Sequence, residues 1–435
     1  MNQEVNIIGA GLAGCEAAYQ LAKRGIKVNL YEMKKITKTD AQSSDFLAEL
    51  VCSNSLRSND VLNAAGLMKE ELRKLDSLLI KAADKFKVPA GSALAVDREL
   101  FSQYITKMME ENPLINAIHN EVTKIDQSAY TIVASGPLTS DTLMDDIKKF
   151  LGNDTLYFFD AIAPIIEFDS IDMSKAYFKS RYDKGTPDYI NCPMTKEEYD
   201  LWYHEVINAK LAKIKDFEFK VFEGCMPFEE MARRGYQTLL YGPMKPVGLE
   251  KDGEKRPYAV VQLRQDNLRK SLYNIVGFQT HLTFSEQKRI IRMIPGLENA
   301  HIIRYGIMHR NSFINAPKSI NQFYQTKKNP KIFFAGQLSG VEGYVESIGS
   351  GLVAGINMSR LVRKLDLFEF STYTALGSQS YYIASASEDY FQPMNTNFGI
   401  FPGLEYKHKK KERKTLYAKR SLEAIDQMIG SGVLD

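Results

Sequence analysis

The stretch Val5-Asn-Ile-Ile-Gly-Ala-Gly-Leu-Ala-Gly14 near the N-terminus decides the fold of this chain. Its first four residues predict a buried strand, and its glycines lead into a helical pattern over residues 15–24. A second predicted strand, residues 27–31, ends at the acidic residue Glu32. A strand, a glycine-rich turn, a helix and a second strand with this spacing are typical of a dinucleotide-binding Rossmann unit.

Each glycine of this unit has a predicted physical role. Gly9 permits a tight turn, Gly11 lets a pyrophosphate approach the backbone, and Gly14 lets the helix lie close to the sheet. The helix N-terminus adds N–H donors and partial positive charge for the phosphates. We expect Glu32 to accept hydrogen bonds from the adenosine ribose.

A second glycine-rich segment, residues 331–355, indicates which dinucleotide binds. It predicts a strand that ends at Gly336 and then a helix that contains Gly349 and Gly351. A late strand and helix of this kind suit the approach of a flavoprotein to the flavin and its phosphates. The sequence has no second Gly-x-Gly-x-x-Gly unit for a nicotinamide cofactor. We therefore predict FAD, with these three glycines among its contacts.

Length and composition place the chain among ordinary globular proteins with two or three domains. It has 435 residues, of which 44% are hydrophobic and 25% charged. The predicted class is α/β, with a Rossmann-like FAD-binding domain formed by residues 1–165 and 325–435. Residues 166–324 are predicted to form an inserted, smaller α+β domain that binds substrate or RNA. Further predicted elements are a helical stretch at 62–86 and strands at 130–134, 258–263 and 275–280.

The sequence also bears on location and cysteine chemistry. No stretch reaches the roughly 20 apolar residues of a membrane span, and the N-terminus lacks a signal-peptide pattern, which predicts a cytoplasmic protein. The four cysteines, Cys15, Cys52, Cys192 and Cys225, include no Cys-x-x-Cys pair. Reduced thiols without a metal site are therefore predicted. The net charge of +3 does not by itself require a polyanionic partner.

Several longer segments carry a resemblance to a known family. They are Gly9-Ala-Gly-Leu-Ala-Gly14, Glu49-Leu-Val-Cys-Ser-Asn-Ser-Leu56, Val88-Pro-Ala-Gly-Ser-Ala-Leu-Ala-Val-Asp-Arg98, Asn191-Cys-Pro-Met-Thr195, Arg234-Gly-Tyr-Gln-Thr-Leu239, Gly242-Pro-Met-Lys-Pro-Val-Gly248, Tyr305-Gly-Ile-Met-His-Arg-Asn311 and Phe391-Gln-Pro-Met-Asn-Thr-Asn-Phe398. In this order they closely resemble the bacterial folate- and FAD-dependent tRNA uracil-5-methyltransferases. The resemblance runs from the first strand to the basic segment near the C-terminus.

The resemblance implies an enzyme that forms 5-methyluridine, with the T-loop uridine of tRNA as its target. It also implies 5,10-methylenetetrahydrofolate as the carbon donor, FAD as the intermediary and NADH or NADPH as the reductant. Uracil C5 is a weak nucleophile, so a thiolate must first add to C6 and a base must later take the C5 proton. The resemblance gives Cys225 as the nucleophile and Cys52 as its acid/base companion, although the two roles can be exchanged. It places His309 over the pterin.

Without the resemblance, each of these residues also has an ordinary structural interpretation. Free cysteines usually pack in cores, which is how we interpret Cys15 and Cys192, and a histidine in this setting usually makes a structural hydrogen bond. Candidate RNA contacts are cations that could neutralise phosphates or could be solvated surface charges. They are Arg233, Arg234, Lys245, Arg264 and, in a basic run at 407–414 that we expect on a helix, Lys409, Lys410 and Lys411.

Two departures from the family pattern bear on the RNA target. The chain has Thr39-Asp-Ala-Gln-Ser-Ser44 where the family has a Thr-Pro-Ala-His-x-Thr stretch, and Ser92 where a glycine is usual. The same chemistry on a uridine of 23S ribosomal RNA is therefore one alternative. A non-catalytic RNA-binding flavoprotein is another. The larger flavoproteins that install carboxymethylaminomethyl groups on tRNA are disfavoured by chain length.

Overall fold

The computed structural model describes residues 3–39, 41–152, 156–212, 226–251, 253–389, 391–405 and 408–434, with the backbone alone at 156–160, 309 and 310. The helices are α1 (Leu12–Lys23), α2 (Ala64–Lys74), α3 (Leu78–Lys85), α4 (Arg98–Glu110), α5 (Asp141–Leu151), α6 (Lys196–Ile207), α7 (Phe228–Arg234), α8 (Thr238–Tyr241), α9 (Phe284–Ile291), α10 (Ala316–Ser319), α11 (Tyr344–Val362), α12 (Ala375–Ser385) and α13 (Arg413–Gly430). The strands are β1 (Glu4–Ile8), β2 (Lys27–Glu32), β3 (Ser55–Ser58), β4 (Lys87–Val88), β5 (Ala93–Val96), β6 (Ile115–His119), β7 (Tyr130–Val133), β8 (Leu156–Ala161), β9 (Ile165–Glu167), β10 (Tyr177–Phe178), β11 (Tyr189–Met194), β12 (Ala259–Gln265), β13 (Leu272–Ile275), β14 (Ile302–Arg304), β15 (Met308–Phe313) and β16 (Ile332–Phe334).

The first sheet is parallel and has the strand order β16-β7-β1-β2-β6. Its central strand β1 pairs with β2 and β7, so that Val5 lies opposite both Val28 and Tyr130. Helices α1 and α11 pack on this sheet and on each other. A parallel sheet covered by helices explains why its strands are apolar runs. The predicted α/β class with a Rossmann-type unit is confirmed.

Small residues let α1 and α11 approach closely. A Cβ atom at Gly14 would lie 1.9 Å from the carbonyl oxygen of Gly9, and one at Gly351 would lie 2.3 Å from that of Ala13. Both distances are far below contact, so a side chain at Gly14 would push α1 away from the turn after β1, and a side chain at Gly351 would push α11 away from α1. The sequence therefore sets the packing of these two helices through glycine positions.

The second sheet is antiparallel and has its own core. Its order is β10-β11-β12-β13-β9-β14, within residues 165–304. The fully buried Trp202 of α6 stacks on Phe228, with ring centroids 5.8 Å apart, and lies 5.9 Å from Phe278. Aromatic packing of this kind buries a large apolar area in a small number of residues.

The two-stranded ladder of β8 and β15 stands where the chain enters and leaves the second sheet. After it, Phe313, Ile314, Ile320 and Tyr324 already belong to the core of the first sheet. The sequence interpretation assigned these residues to the inserted domain. A small third sheet, with the order β3-β5-β4, completes the fold.

Local expectations were met in part. Predicted strands near 130 and 258 correspond to β7 and β12. The helical stretch at 62–86 is divided into α2 and α3 at Asp76, whose φ is 65°. The predicted strand at 275–280 is wrong, because Gly277 has a φ of 75° and turns the chain after β13. In the described ranges, no helix has the length and apolarity that crossing a membrane requires.

Candidate active site

A cavity opens at the carboxyl ends of the first sheet's strands. Ligands of doubly wound sheets bind at this edge. The loops after β1, β2, β7 and β16 contribute to the lining, and so does the first turn of α11. Residues that line it include Gly9, Gly11, Glu32, Val51, Ser135, Gly136, Gly336, Tyr344 and Ser347.

The glycine turn after β1 leaves its backbone open to this cavity. Gly9 has a φ of 101°, and a Cβ there would lie 2.5 Å from the Cα of Ser135, so the turn requires glycine. At Gly11 a Cβ would meet no atom within 4 Å, so only the absence of a side chain keeps this space open. Gly11 is also the N-cap of α1 and makes no side-chain capping bond. The first N–H groups of α1 are therefore suited to a phosphate.

Glu32 has a fixed carboxylate at the end of β2. Its Oε2 accepts a hydrogen bond from the N–H of Ala10 at 3.1 Å, and its Oε1 accepts one from Lys34 at 3.1 Å. Each oxygen retains acceptor capacity on the cavity side. The open turn and this carboxylate fit the pyrophosphate and ribose of a dinucleotide.

The second glycine segment contributes only part of what the sequence suggested. Gly336 lines the cavity, and its N–H donates to the hydroxyl of Ser350 at 2.7 Å. Gly349 and Gly351 do not line it. A Cβ at Gly349 would lie 2.7 Å from the Cδ2 of Leu376, and Gly351 packs on Ala13 of α1. These two glycines allow helix packing, so we correct their assignment as cofactor contacts.

The turn that carries Cys52 lies against the same cavity. The N–H groups of Cys52 and Ser53 donate to the hydroxyl oxygen of Tyr344 at 2.8 and 3.1 Å. Tyr344 and the neighbouring residue Val51 both line the cavity, and the Cys52 Sγ lies 3.9 Å from the carbonyl oxygen of Ala161. The half-buried thiol therefore stands at the border between the cavity and the entrance to the second sheet.

Cys225 lies outside the described residues, as does the side chain of His309. The described residues on either side of 213–225 are hydrogen-bonded to the segment after β13. The N–H of Ala212 donates to His281, and the N–H of Phe228 donates to Gln279, each at 2.8 Å. The backbone of His309 pairs in β15 with Asp160, one position from Ala161.

The predicted RNA contacts fall into different environments. Arg233 pairs with Glu230 at 2.5 Å, and Arg234 ends α7. Lys245 is half-buried, whereas Lys409, Lys410 and Lys411 are exposed in the turn that precedes α13 instead of on a helix. Arg264 requires correction, because its side chain is buried and hydrogen-bonded to the turn at Ser53 and Asn54. A surface phosphate contact by Arg264 is therefore excluded in this arrangement.

Sequence reasoning left three residues of this site without a role, namely Arg98, Arg304 and Tyr344. Arg98 donates to the carbonyl of Leu50 at 3.0 Å and pairs with Asp266 at 2.9 Å. Arg304 donates from a single Nη2 to the carbonyls of Ala41 and Val51, at 2.8 and 3.0 Å. Arg98 is the last residue of the segment 88–98 that resembles the family, and this position is the sequence signal that could have pointed to it. No sequence signal pointed to Arg304, because its partners Ala41 and Val51 lie about 250 residues away in the sequence.

Burial shapes the ionisation of the groups nearby. Burial and the neighbouring Cys52 raise the pKa of Tyr344, so its hydroxyl stays protonated. Burial lowers the pKa of Arg264 and of Arg304. The pKa of each fully buried thiol, Cys15 and Cys192, is raised by burial, which makes both thiols unreactive.

The fold and cavity define the class as a dinucleotide-binding α/β protein. Its fold is similar to that of GidA from Aquifex aeolicus, at a TM-score of 0.71 and 16% identity over 98% of this chain and 74% of that one. The family model described as glucose inhibited division protein A matches residues 4–366.

Relatives of full length define the family more narrowly. The methylenetetrahydrofolate–tRNA-(uracil-5-)-methyltransferase TrmFO of Listeria monocytogenes is 57% identical over 432 residues, which cover 98% of this chain and 99% of the relative. The protein of the same name from Lactococcus lactis is 56% identical over 437 residues, 98% of each chain. The chain therefore belongs to the folate-dependent tRNA (uracil-5-)-methyltransferase family.

Proposed function

We propose that this chain is an FAD- and methylenetetrahydrofolate-dependent methyltransferase that forms 5-methyluridine in the T loop of tRNA. The full-length relatives support this activity. The structural observation that supports this activity most strongly is the position of Cys52. Its backbone N–H donates a hydrogen bond to the hydroxyl of Tyr344, which lies in the wall of the dinucleotide cavity. A thiol at this border can reach a pyrimidine that enters beside the cavity.

The residues of the chain have defined tasks in this reaction. One thiolate of the Cys52 and Cys225 pair adds to uracil C6, which makes C5 nucleophilic. The other group takes the C5 proton after carbon transfer, and β-elimination then releases the first sulfur. FAD, when bound and reduced, relays the one-carbon unit from the folate and supplies the electrons that complete the methyl group.

We assign the cofactor contacts from the cavity lining. The turn at Gly9 and Gly11 and the N-terminus of α1 bind the pyrophosphate, and Glu32 accepts from the ribose hydroxyls. Gly336 lies beside the flavin. His309 is proposed to cover the pterin, and NADH or NADPH restores the reduced flavin. The site must also keep water away from the transferred carbon.

RNA binding is assigned to the cations that remain exposed or half-exposed. They are Arg233, Arg234, Lys245, Lys409, Lys410 and Lys411. Contacts of this kind supply affinity through phosphates, whereas the cavity selects the base that is flipped into it. Gln42, in the segment that departs from the family pattern, lines the cavity. The choice between tRNA and 23S ribosomal RNA is therefore part of the test.

The test uses RNA in which uracil is replaced by 5-fluorouracil, because the missing C5 proton traps the sulfur adduct. Purified holoenzyme is incubated with such tRNA and with a matching 23S ribosomal fragment, and adducts are identified by mass spectrometry. We expect an adduct with the tRNA that disappears in Cys225→Ala and persists in Cys192→Ala, the control thiol in the second core. An adduct confined to the ribosomal fragment contradicts the proposed target, and the absence of any adduct contradicts the chemistry.

A further inference from the structure

Three arginine side chains converge on the turn that carries Cys52. Arg98 donates to the carbonyl of Leu50, and Arg304 donates to the carbonyl of Val51, both at 3.0 Å. On the other side of the thiol, Arg264 donates to the Ser53 Oγ at 2.7 Å and to the Asn54 Oδ1 at 3.1 Å. Residues on both sides of Cys52 are thus held by a guanidinium group.

Two of these arginines come from the second sheet. Arg264 lies in β12 and Arg304 ends β14, whereas Arg98 begins α4 beside the first sheet. Asp266, directly after β12, anchors Arg98 through two hydrogen bonds to its Oδ1, at 2.9 and 3.1 Å. The turn at Cys52 is therefore fixed jointly by both halves of the molecule.

The charge of these side chains is unusual for a purely structural role. In the ranges that the structure describes, Arg98 pairs with Asp266, but neither Arg264 nor Arg304 forms an ion pair with a carboxylate. Glu49, the other acidic residue nearby, pairs with Lys34 at 3.5 Å. Asp266 attracts both Arg264 and Arg304, and Glu49 also attracts Arg304, but within the described residues neither carboxylate is in direct contact with them. Burying a cation without a direct ion pair is unfavourable, and neutral donors could bond the same oxygens.

We propose that Arg98, Arg264 and Arg304 are positioning residues for Cys52, which fix its turn beside the cavity and place positive charge next to that turn. This inference rests on the proposed role of Cys52 in methyl transfer. A guanidinium near a thiol favours the thiolate, which is the form that attacks carbon or accepts a proton. The inserted sheet then contributes to catalysis without touching the reacting atoms.

The sign of the expected pH effect follows from the groups around the sulfur. In the described part of the chain, the charged or titratable groups around the turn include Arg98, Arg264, Arg304, Lys34, Asp266, Glu49, Tyr189 and Tyr344. Tyr344 stays neutral, and among these groups the four cations outnumber the two carboxylates. Removal of one cation should therefore raise the pKa of the Cys52 thiol.

The test measures alkylation of Cys52 by iodoacetamide as a function of pH, in a Cys225→Ala background and with peptide mass spectrometry to locate the label. We expect Arg304→Gln to move the midpoint of the profile upward by about one pH unit. Arg304→Lys, which keeps the charge, should leave the midpoint close to that of the parent. Arg289→Gln, which removes an exposed cation of α9 that pairs with Glu205 and Glu286, is the matched control and should change nothing.

A folded Arg304→Gln protein with an unchanged midpoint overturns the proposal. Should that variant fail to fold, Arg304→Lys with Cys225 intact decides the matter through steady-state RNA methylation. The lysine side chain is one bond shorter than that of arginine, so its ammonium does not reach the position from which the Arg304 Nη2 donates to the carbonyls of Ala41 and Val51. We therefore expect kcat to fall several-fold at unchanged KM for RNA. A lysine variant with the parent kcat overturns the proposal. Alkylation needs neither RNA nor folate, so its outcome is independent of whether the proposed methyl transfer is correct.

Discussion

The glycine turn after β1 and the turn at Cys52 border the same cavity, but they are built in different ways. Gly9, Gly11, Gly14 and Glu32 lie within one continuous strand–helix–strand segment, and their geometry follows from local rules. The Cys52 turn depends on Tyr344 and on arginines from three distant elements. The comparison teaches that the geometry of the proposed cofactor turn is encoded locally, whereas the placement of the Cys52 thiol is encoded by tertiary structure.

The largest effect should come from closing the locally encoded turn. Gly14→Ala places a Cβ 1.9 Å from the Gly9 carbonyl oxygen, so we expect a loss of about 4 kcal/mol or more in the free energy of unfolding. Gly11→Ala is the matched variant, because its Cβ has open space and its φ of −77° suits alanine. Thermal unfolding without FAD should leave Gly11→Ala close to the parent, while FAD titration shows weakened binding. Equal stability of the two variants would contradict the distinction between Gly14, which is needed for packing, and Gly11, which is needed for binding the cofactor.

The next effect concerns the thiol turn. Cys52→Ala should lower kcat for 5-methyluridine formation by about 10²- to 10⁴-fold, the range for loss of an acid or base group, without changing FAD binding. Cys192→Ala, in the buried core of the second sheet, serves as the control. Single-turnover kinetics with tRNA measure both. If Cys52→Ala forms 5-methyluridine at the parent rate, Cys52 takes no part in the chemical step.

A buried carboxyl gives a pH-dependent prediction for the first sheet's core. Burial raises the pKa of Glu71 to about 7, although it accepts hydrogen bonds from Ala375, Leu376 and Ser421. A folded-state pKa above the unfolded value means that its contribution is fully present below about pH 4.5 and is lost as the pH rises through 7.

We therefore expect the free energy of unfolding to fall by about 1–3 kcal/mol between pH 4.5 and 7 through this group. Urea unfolding at several pH values measures the slope, which Glu71→Gln should flatten. Glu70→Gln, a partly exposed neighbour on α2, should leave it as in the parent. A slope that survives Glu71→Gln would assign the effect to another group.

The smallest effect should come from the end of the local motif. Glu32→Gln retains the shape of the side chain but loses the charge that strengthens ribose hydrogen bonds. We expect FAD to bind about tenfold more weakly, which corresponds to about 1.4 kcal/mol. Flavin fluorescence titration measures the change, with the exposed Glu111→Gln as control. Unchanged FAD affinity would show that the ribose lies elsewhere.

These contrasts explain what the sequence could and could not predict. The first Rossmann unit and the cavity at its glycine turn follow from short-range patterns, because glycine geometry and apolar periodicity act locally. The importance of Cys52 was indicated by the family resemblance, whereas its placement depends on distant partners. Gly349 and Gly351 were misassigned, because a glycine in a helix serves close packing as well as it serves a phosphate. Only the surroundings of the glycine in the folded protein show whether it packs against a helix or contacts a phosphate.

The remaining differences have a related cause. Arg264 was predicted as a surface cation, since a lone arginine in a strand gives no sign of the Ser53 and Asn54 oxygens more than 200 residues away. The strand predicted at 275–280 failed where Gly277 overrides an apolar pattern. Sequence patterns do not predict contacts with residues that are distant in the sequence, and they do not predict the backbone angles of single residues.

The most direct test of the central claim follows the carbon itself. Holoenzyme is supplied with methylenetetrahydrofolate labelled at the methylene carbon, a reduced nicotinamide cofactor and unmodified tRNA, and the nucleosides are then analysed by mass spectrometry. The account predicts that labelled 5-methyluridine forms in the T loop with the parent protein and forms at least about 100-fold more slowly with Cys52→Ala. Labelled product that forms at the parent rate with Cys52→Ala, or tRNA that acquires no label from the parent protein, would contradict it.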